Sequence, residues 1–371
     1  MALSAGSDAV PVEGLTVSVY RVPTDVPAES DGTYTWESTT LVLVEARAGG
    51  ATGIGYTYAD TSTARLIADT LVRVVCGMDV MSTAKIWMAL VASVRNLGRP
   101  GIASMAISAV DVAMWDLKAR LLDSPLVSLL GAARDAAPIY GSGGFTSYSN
   151  DQLRAQLSGW VEMGIPRVKM KIGRDPTADL ERVAVARAAI GDAAELFVDA
   201  NGAYQRKQAL AQAERFTEWR VSWFEEPVYH GDLAGLGFCR DHAPPGMEIS
   251  VGEYGYEPRA FAAIIDAGAA DVLQADATRC EGITGLLIVD ALCEAKAMPL
   301  STHCAQSLHV HPACAAKRLR HVEYFHDHAR IEQMLFDGAL APIGGALHPD
   351  LTRPGLGLEL KRADARRYEV S

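Results

Sequence analysis

The chain has 371 residues, 49% of them apolar, which exceeds one average domain and suffices for a large core. Its formal net charge of -11 argues against nucleic acid or an anionic membrane as a partner, without excluding an anionic substrate held by a local cation. Six cysteines lie far apart with no C-x-x-C pair, residues 1–14 do not read as a signal peptide, and no run of about 18 apolar residues occurs, so a reduced, cytoplasmic protein is expected.

Residues 15–60 alternate apolar and polar side chains around a polar loop with Pro23, Pro27 and Gly32, which predicts antiparallel strands. Helical stretches follow over 63–122, where Ile107, Val110, Met114, Leu117 and Leu121 form one stripe at helical spacing. An α+β domain over 1–131 is expected. A first strand at 138–142, before the Gly143-Gly144 turn, then opens a βα repeat. Seven more apolar strands end in polar tips: Lys171, Asp199, Glu225, Glu253, Asp276, His303 and Glu323. The steps between tips are 28, 26, 28, 23, 27 and 20 residues, by subtraction. A strand, a return helix and two loops need about that much chain, and helices are expected over 177–190 and 207–219. Repeated parallel strands with polar tips describe a TIM-type barrel, set at 132–340, with its site at the strand C-termini. No regular βα unit is read after Glu323. Residues 341–371, with a turn at 354–358, are expected to pack back on the N-terminal domain.

Asp199, Glu225 and Glu253 end consecutive strands and should converge. Three carboxylates that close repel unless a cation sits among them, and an all-oxygen set suits Mg²⁺. Lys169 and Lys171 share one face of their strand, and beside a divalent cation depressed pKa values are expected, so that a lysine could serve as a base. His303 and Asp276 end adjacent strands, an arrangement that fixes an imidazole tautomer. Glu323 is read either as a protonated donor to a developing oxyanion or as the salt-bridge partner of a barrel lysine. Cys280 and Cys304, beside strand tips, read as small apolar fillers.

Lys169-Met170-Lys171, Val198-Asp199-Ala200-Asn201, Phe224-Glu225-Glu226-Pro227, Gly252-Glu253, Gln274-Ala275-Asp276 and Thr302-His303, taken in order, resemble the mandelate racemase subgroup of the enolase superfamily. The resemblance implies an α/β fold, a modified TIM barrel (β/α)7β with an α+β capping domain built from the N-terminal region and the C-terminal tail. It implies Mg²⁺ on Asp199, Glu225 and Glu253 with Glu226 in support. Lys171 and His303 would be the acid/bases, with Asp276 orienting His303, Lys169 on the substrate carboxylate and Glu323 facing its other oxygen. Such enzymes remove the hydrogen α to a carboxylate through an enediolate. Dehydration of an acid sugar to a 2-keto-3-deoxy acid is the leading expectation. Racemisation or epimerisation and cycloisomerisation of an anhydro-sugar acid are the alternatives, and a non-catalytic metal-binding barrel is a more distant one. The resemblance also implies a homo-oligomer, from dimer to octamer. Candidate substrate contacts are Lys169, Tyr20, Tyr56, Arg99, Asn201 and His309, with specificity expected from the capping loops over 22–36 and 53–58. One departure stands out: Glu281, in Arg279-Cys280-Glu281-Gly282, replaces a glycine usual in relatives and adds a side chain beside the strand-six loop.

Overall fold

The computed structural model describes residues 9–370; most of the 1–14 segment read for a leader lies outside them. Gly14–Pro23, Ser38–Ala48 and Ala51–Tyr58 form an antiparallel sheet in that order, with Val17 opposite Val44 and Leu41 opposite Tyr58. The helix Ile102–Leu121 lies against this sheet. Two glycines allow the close approach: a Cβ at Gly53 would come within 2.3 Å of Leu117 N, and one at Gly55 within 2.2 Å of Ala109 O. Lys118 and Arg120 in its last turn complement the helix dipole. Buried Asp116 fastens the layers, accepting the N–H groups of Ile54 at 2.7 Å and Leu356 at 2.6 Å, and pairing with Arg120.

The barrel has eight parallel strands: Ala137–Gly143, Arg167–Lys171, Glu195–Asp199, Val221–Glu225, Glu248–Val251, Val272–Ala275, Leu300–Thr302 and Leu319–Phe325. Strand eight closes on strand one, with Glu323 opposite Tyr140. The register aligns Lys171 with Asp199, and Asp199 with Glu225. Because side chains alternate across a strand, that register brings the three polar tips to one level. Beneath them the barrel interior is filled by Tyr140, Phe197, Trp223 and Val272, with the Phe197 and Trp223 rings stacked at 5.2 Å. Trp223 Nε1 donates to Glu225 Oε2 at 3.0 Å, joining this apolar floor to the polar layer.

A helix, His326–Leu335, does follow strand eight, where no further unit was expected from sequence. An extra short strand, Ala346–Leu347, pairs antiparallel with strand one. Beyond it, Phe336–Asp337 pairs with Glu359–Leu360, Arg120 Nη2 donates to Leu358 O at 2.7 Å, and Val370 N–H donates to Val19 O at 2.8 Å. The loop after the first strand forms a small ribbon, Glu29–Ser30 against Thr35–Trp36. It is pinned to the barrel by Thr146 N–H on Ser30 O at 2.8 Å and by Trp36 packed edge-on to Phe145. Among the described residues no helix is long and apolar enough to cross a membrane.

Candidate active site

Asp199, Glu225 and Glu253 meet at the barrel mouth, all buried, each with an oxygen within 4.8 Å of the others. Lys169 Nζ lies 2.5 Å from Glu225 Oε1, 2.8 Å from Glu323 Oε1 and 3.5 Å from Asp199 Oδ2. Lys171 Nζ lies 2.5 Å from Asp199 Oδ2. Burial works to lower both lysine pKa values, but the carboxylates outweigh it: Glu225 and Glu323 for Lys169, Asp199 for Lys171. The protein's own charges thus favour the ammonium form of both lysines, whereas the depression expected from sequence is one beside a bound divalent cation. Burial likewise works to raise Asp199, yet Lys171 and Lys169 hold it below the usual carboxylate range. Glu225 and Glu226 are pushed well up, first by burial and then by neighbouring carboxylates.

The cluster fits a hard divalent cation. Its donors are all oxygen, and Glu253 Oε2 is buried without a hydrogen-bond partner, as are Glu226 Oε1 and Asn201 Oδ1 beside it. Leaving such atoms unpaired costs about 1–3 kcal/mol each, which a bound ion or its water would offset.

Across the mouth, His303 Nδ1 lies 2.8 Å from Asp276 Oδ2. Asp276 Oδ1 accepts the Thr278 N–H at 2.7 Å, and burial alone would raise this acid, but the bond to His303 holds it low. An ionised Asp276 assigns the proton to Nδ1 and leaves Nε2 towards the cavity. Strand seven ends at Thr302, and Cys304 and Ala305 then take positive φ values of 51° and 41° before the helix Gln306–Ala315. Two successive non-glycine residues in this region store strain of the kind found at functional sites. The turn brings Cys304 N–H to Glu323 Oε2 at 2.9 Å and Cys304 Sγ to 3.3 Å from His303 Nε2. Glu323 is ionised, since against burial Lys169, His303 and Lys171 hold it well down. Of the two readings of Glu323, the salt bridge to a barrel lysine is present, on Lys169 at 2.8 Å.

A cavity of about 440 Å³ joins these groups to the N-terminal domain. Lys171, Asn201, Glu253, His303 and Glu323 line it from the barrel; Asp31, Tyr34, Trp36, Thr39, Thr40 and Tyr58 line it from the capping loops. Of the six expected substrate contacts only Asn201 lines it; Lys169 is fully buried among the carboxylates behind it, and the other four lie elsewhere. Tyr20 is buried and pairs by its backbone with Glu369 of the C-terminal segment, away from the cavity. Tyr56 is fully buried, stacks on Phe336 and donates to Glu332 Oε1 at 2.7 Å. Arg99 forms a two-pronged ion pair with Glu281 and reaches Glu257 at 3.1 Å. His309 is fully buried, with Nε2 accepting the Ala277 N–H at 2.8 Å and Nδ1 donating to Cys304 O at 2.7 Å. Glu281 itself points to Arg99 and does not narrow the cavity.

Tyr58, at the end of the 53–58 stretch expected to set specificity, lines the cavity together with His328 and Arg279, which were not anticipated from sequence. Tyr58 lies against His328, their rings stacked at 3.4 Å, and His328 Nδ1 accepts the Ala305 N–H at 3.2 Å, so its Nε2 carries the proton. Burial, then His303, keeps His328 neutral. Arg279 also lines the cavity, donating to Glu253 O at 3.1 Å with its guanidinium over Tyr254. Cys304 lines it too and is more than a filler.

A closed barrel that sets a hard-cation site between two proton-carrying side chains is the layout of the enolase superfamily. Residues 14–131 match the model for the mandelate racemase / muconate lactonizing enzyme N-terminal domain, and residues 152–365 the enolase C-terminal domain-like model. The chain belongs to this superfamily, in its mandelate racemase subgroup. It is 31% identical over 356 residues to the L-talarate/galactarate dehydratase of Salmonella typhimurium, covering 88% of each chain. It is 30% identical over 360 residues to the 3,6-anhydro-alpha-L-galactonate cycloisomerase of Streptomyces coelicolor, covering 94% of this chain and 97% of that one. A solved mandelate racemase/muconate lactonizing enzyme-like protein from Rubrobacter xylanophilus is 53% identical with a TM-score of 0.95, covering 97% of this chain and 100% of that one. The Salmonella dehydratase, solved with Mg and L-lyxarohydroxamate, matches at a TM-score of 0.89 and 27% identity, covering 100% of this chain and 96% of that one.

Proposed function

We propose that this enzyme removes the proton α to the carboxylate of an acid sugar and eliminates the β-hydroxyl as water, giving a 2-keto-3-deoxy acid. The observation that carries the reading is the presence of Lys171 and His303 in one cavity with Glu253, the member of the Asp199, Glu225 and Glu253 cluster that lines it. The polar lining from Asp31, Thr39, Thr40 and Tyr58 suits a polyol, and the similarity to a talarate/galactarate dehydratase supports it.

Asp199, Glu225 and Glu253 would hold Mg²⁺, with Glu226 behind them, and the ion supplies positive charge that stabilises an enediolate. Lys169, already paired with Glu225 and Glu323, provides a fixed cation for the substrate carboxylate. One of Lys171 and His303 takes the α-proton, and the other protonates the departing hydroxyl. Asp276 keeps His303 Nε2 aimed into the cavity. Asn201, with its buried Oδ1 free, and His328, with Nε2–H available, are the hydroxyl contacts. A cytoplasmic site of action, supported by the free cysteines, and self-association as a homo-oligomer complete the proposal.

The test is a screen of the Mg²⁺-loaded protein against mono- and diacid sugars, read for 2-keto acid and, in D₂O, for α-hydrogen exchange. A keto acid supports the proposal. Exchange without a keto acid replaces it with epimerisation. Turnover of a cyclic anhydro acid alone replaces it with cycloisomerisation, the activity named for the Streptomyces relative. No exchange on any carboxylate favours a non-catalytic barrel.

A further inference from the structure

His303 Nε2, Cys304 Sγ and Glu323 Oε2 form a compact triangle at the inner wall of the cavity. Its edges are 3.3 Å from sulfur to nitrogen, 3.5 Å from sulfur to oxygen and 3.8 Å from nitrogen to oxygen. A tetrahedral Zn²⁺ with ordinary bond lengths to S, N and O holds such atoms about 3.4–3.6 Å apart. All three donors are therefore near their ligating separations before any ion arrives. All three residues are buried and all three line the open cavity, which leaves a fourth position for water.

The surroundings supply what such a site requires. His303 Nδ1 lies against Asp276 Oδ2 at 2.8 Å, the carboxylate–histidine arrangement that orients an imidazole metal ligand. Glu323 is steadied by Lys169 on Oε1 at 2.8 Å and by the Cys304 N–H on Oε2 at 2.9 Å. The left-handed φ of Cys304 turns its thiol to the histidine instead of along the strand. The donor set is soft and mixed, whereas Asp199, Glu225 and Glu253 offer only hard oxygen, so the two places prefer different metals.

We propose that His303, Cys304 and Glu323 form a second, thiophilic metal site that binds Zn²⁺ beside the Mg²⁺ cluster and shuts the enzyme off. On binding, the thiol proton leaves to solvent as the S–Zn bond forms. The ion occupies the Nε2 lone pair, so His303 can no longer carry a proton. The binding stands on the triangle alone. The inhibition rests on the reading of His303 as a proton carrier.

The experiment uses the full-length, Mg²⁺-loaded protein and Co²⁺ as an optical stand-in for Zn²⁺. One equivalent of Co²⁺ should give a thiolate-to-metal charge-transfer band that Zn²⁺ bleaches and excess Mg²⁺ does not. The band should vanish in Cys304→Ser and in His303→Asn, and persist in Cys76→Ser, which removes an exposed thiol elsewhere. Asp276→Asn should weaken Zn²⁺ about 10- to 100-fold. Circular dichroism and retained Mg²⁺ binding keep a misfolded variant from counting as support. Absence of the band in the native protein, or its survival in Cys304→Ser, overturns the site. Zn²⁺ inhibition that excess Mg²⁺ reverses, with no band, assigns the effect to the carboxylates and also overturns it. A band with undiminished turnover leaves the site and refutes the inhibition.

Discussion

Asp276 Oδ2 holds His303 Nδ1 at 2.8 Å, and the opposite nitrogen of the same ring faces Glu253 Oε2 at 3.4 Å. The imidazole thus stands between an orienting acid and the carboxylate cluster, so its tautomer matters. Asp276→Asn should lower kcat by roughly 10²- to 10⁴-fold through loss of that tautomer. KM should change far less. Steady-state kinetics on the substrate found by the screen checks this, and a kcat within a factor of a few of the native enzyme refutes the orienting role.

Lys171→Ala and His303→Asn should each cut turnover by at least about 10²-fold while Mg²⁺ binding, read by calorimetry, survives. α-Hydrogen exchange should survive in whichever variant keeps the base that takes the proton. Full activity in both variants would sink the two-base mechanism.

Glu253→Gln removes one charge from the cation site and its unpartnered Oε2. In the native protein, Mg²⁺ at 100 times its Kd should add about 2.7 kcal/mol of stability, seen as a raised Tm. In Glu253→Gln that rise should largely disappear. An equal rise in both proteins would move the ion elsewhere.

Glu332 is fully buried under the N-terminal sheet, accepting from Tyr56, Gln306 and Ser307, and burial pushes its pKa up to about 7. The native state then holds a proton that the unfolded chain releases near 4.5, the ordinary value for a glutamate. This contribution is full below that pH and is lost as pH rises through about 7. Its magnitude is on the order of 3 kcal/mol. Glu332→Gln should flatten the fall in Tm over this window. Denaturation scans from pH 4 to 8 decide the matter, and parallel curves for the two proteins would refute the assignment.

Asp116 carries a buried charge shared by three partners from three parts of the chain. Asp116→Ala should destabilise by about 3–5 kcal/mol, because Arg120 loses its buried partner and two N–H groups lose their acceptor. Specific activity of the folded fraction should hold. Urea unfolding followed by the assay measures both.

The polar tips were legible because each closes a short apolar strand, and the barrel then brings them together without further instruction. Tyr56 and Tyr58 show where this legibility ends. They sit two residues apart, on the same face of one strand, so alternation cannot separate them. Depth along the strand does: Tyr56 packs under Phe336, while Tyr58 at the strand end meets the cavity. Arg99 sat in a loop with every mark of a free side chain, yet its partner Glu281 lies 182 residues on. The raising of both lysine pKa values by the protein's own charges was hidden for a related reason. Their direction depends on how many carboxylates surround each ammonium, a three-dimensional count. His328 was missed because its ten-residue helix follows the last recognisable strand without a clear start signal.

The register that sets Lys171 beside Asp199 and Asp199 beside Glu225 runs around a ring that closes at Glu323 and Tyr140. A slip of one residue at any seam would turn that strand's polar tips outward. No half-assembled barrel therefore offers a weakened version of this site. Turnover during refolding should appear in step with ring closure and serve as a clock for it.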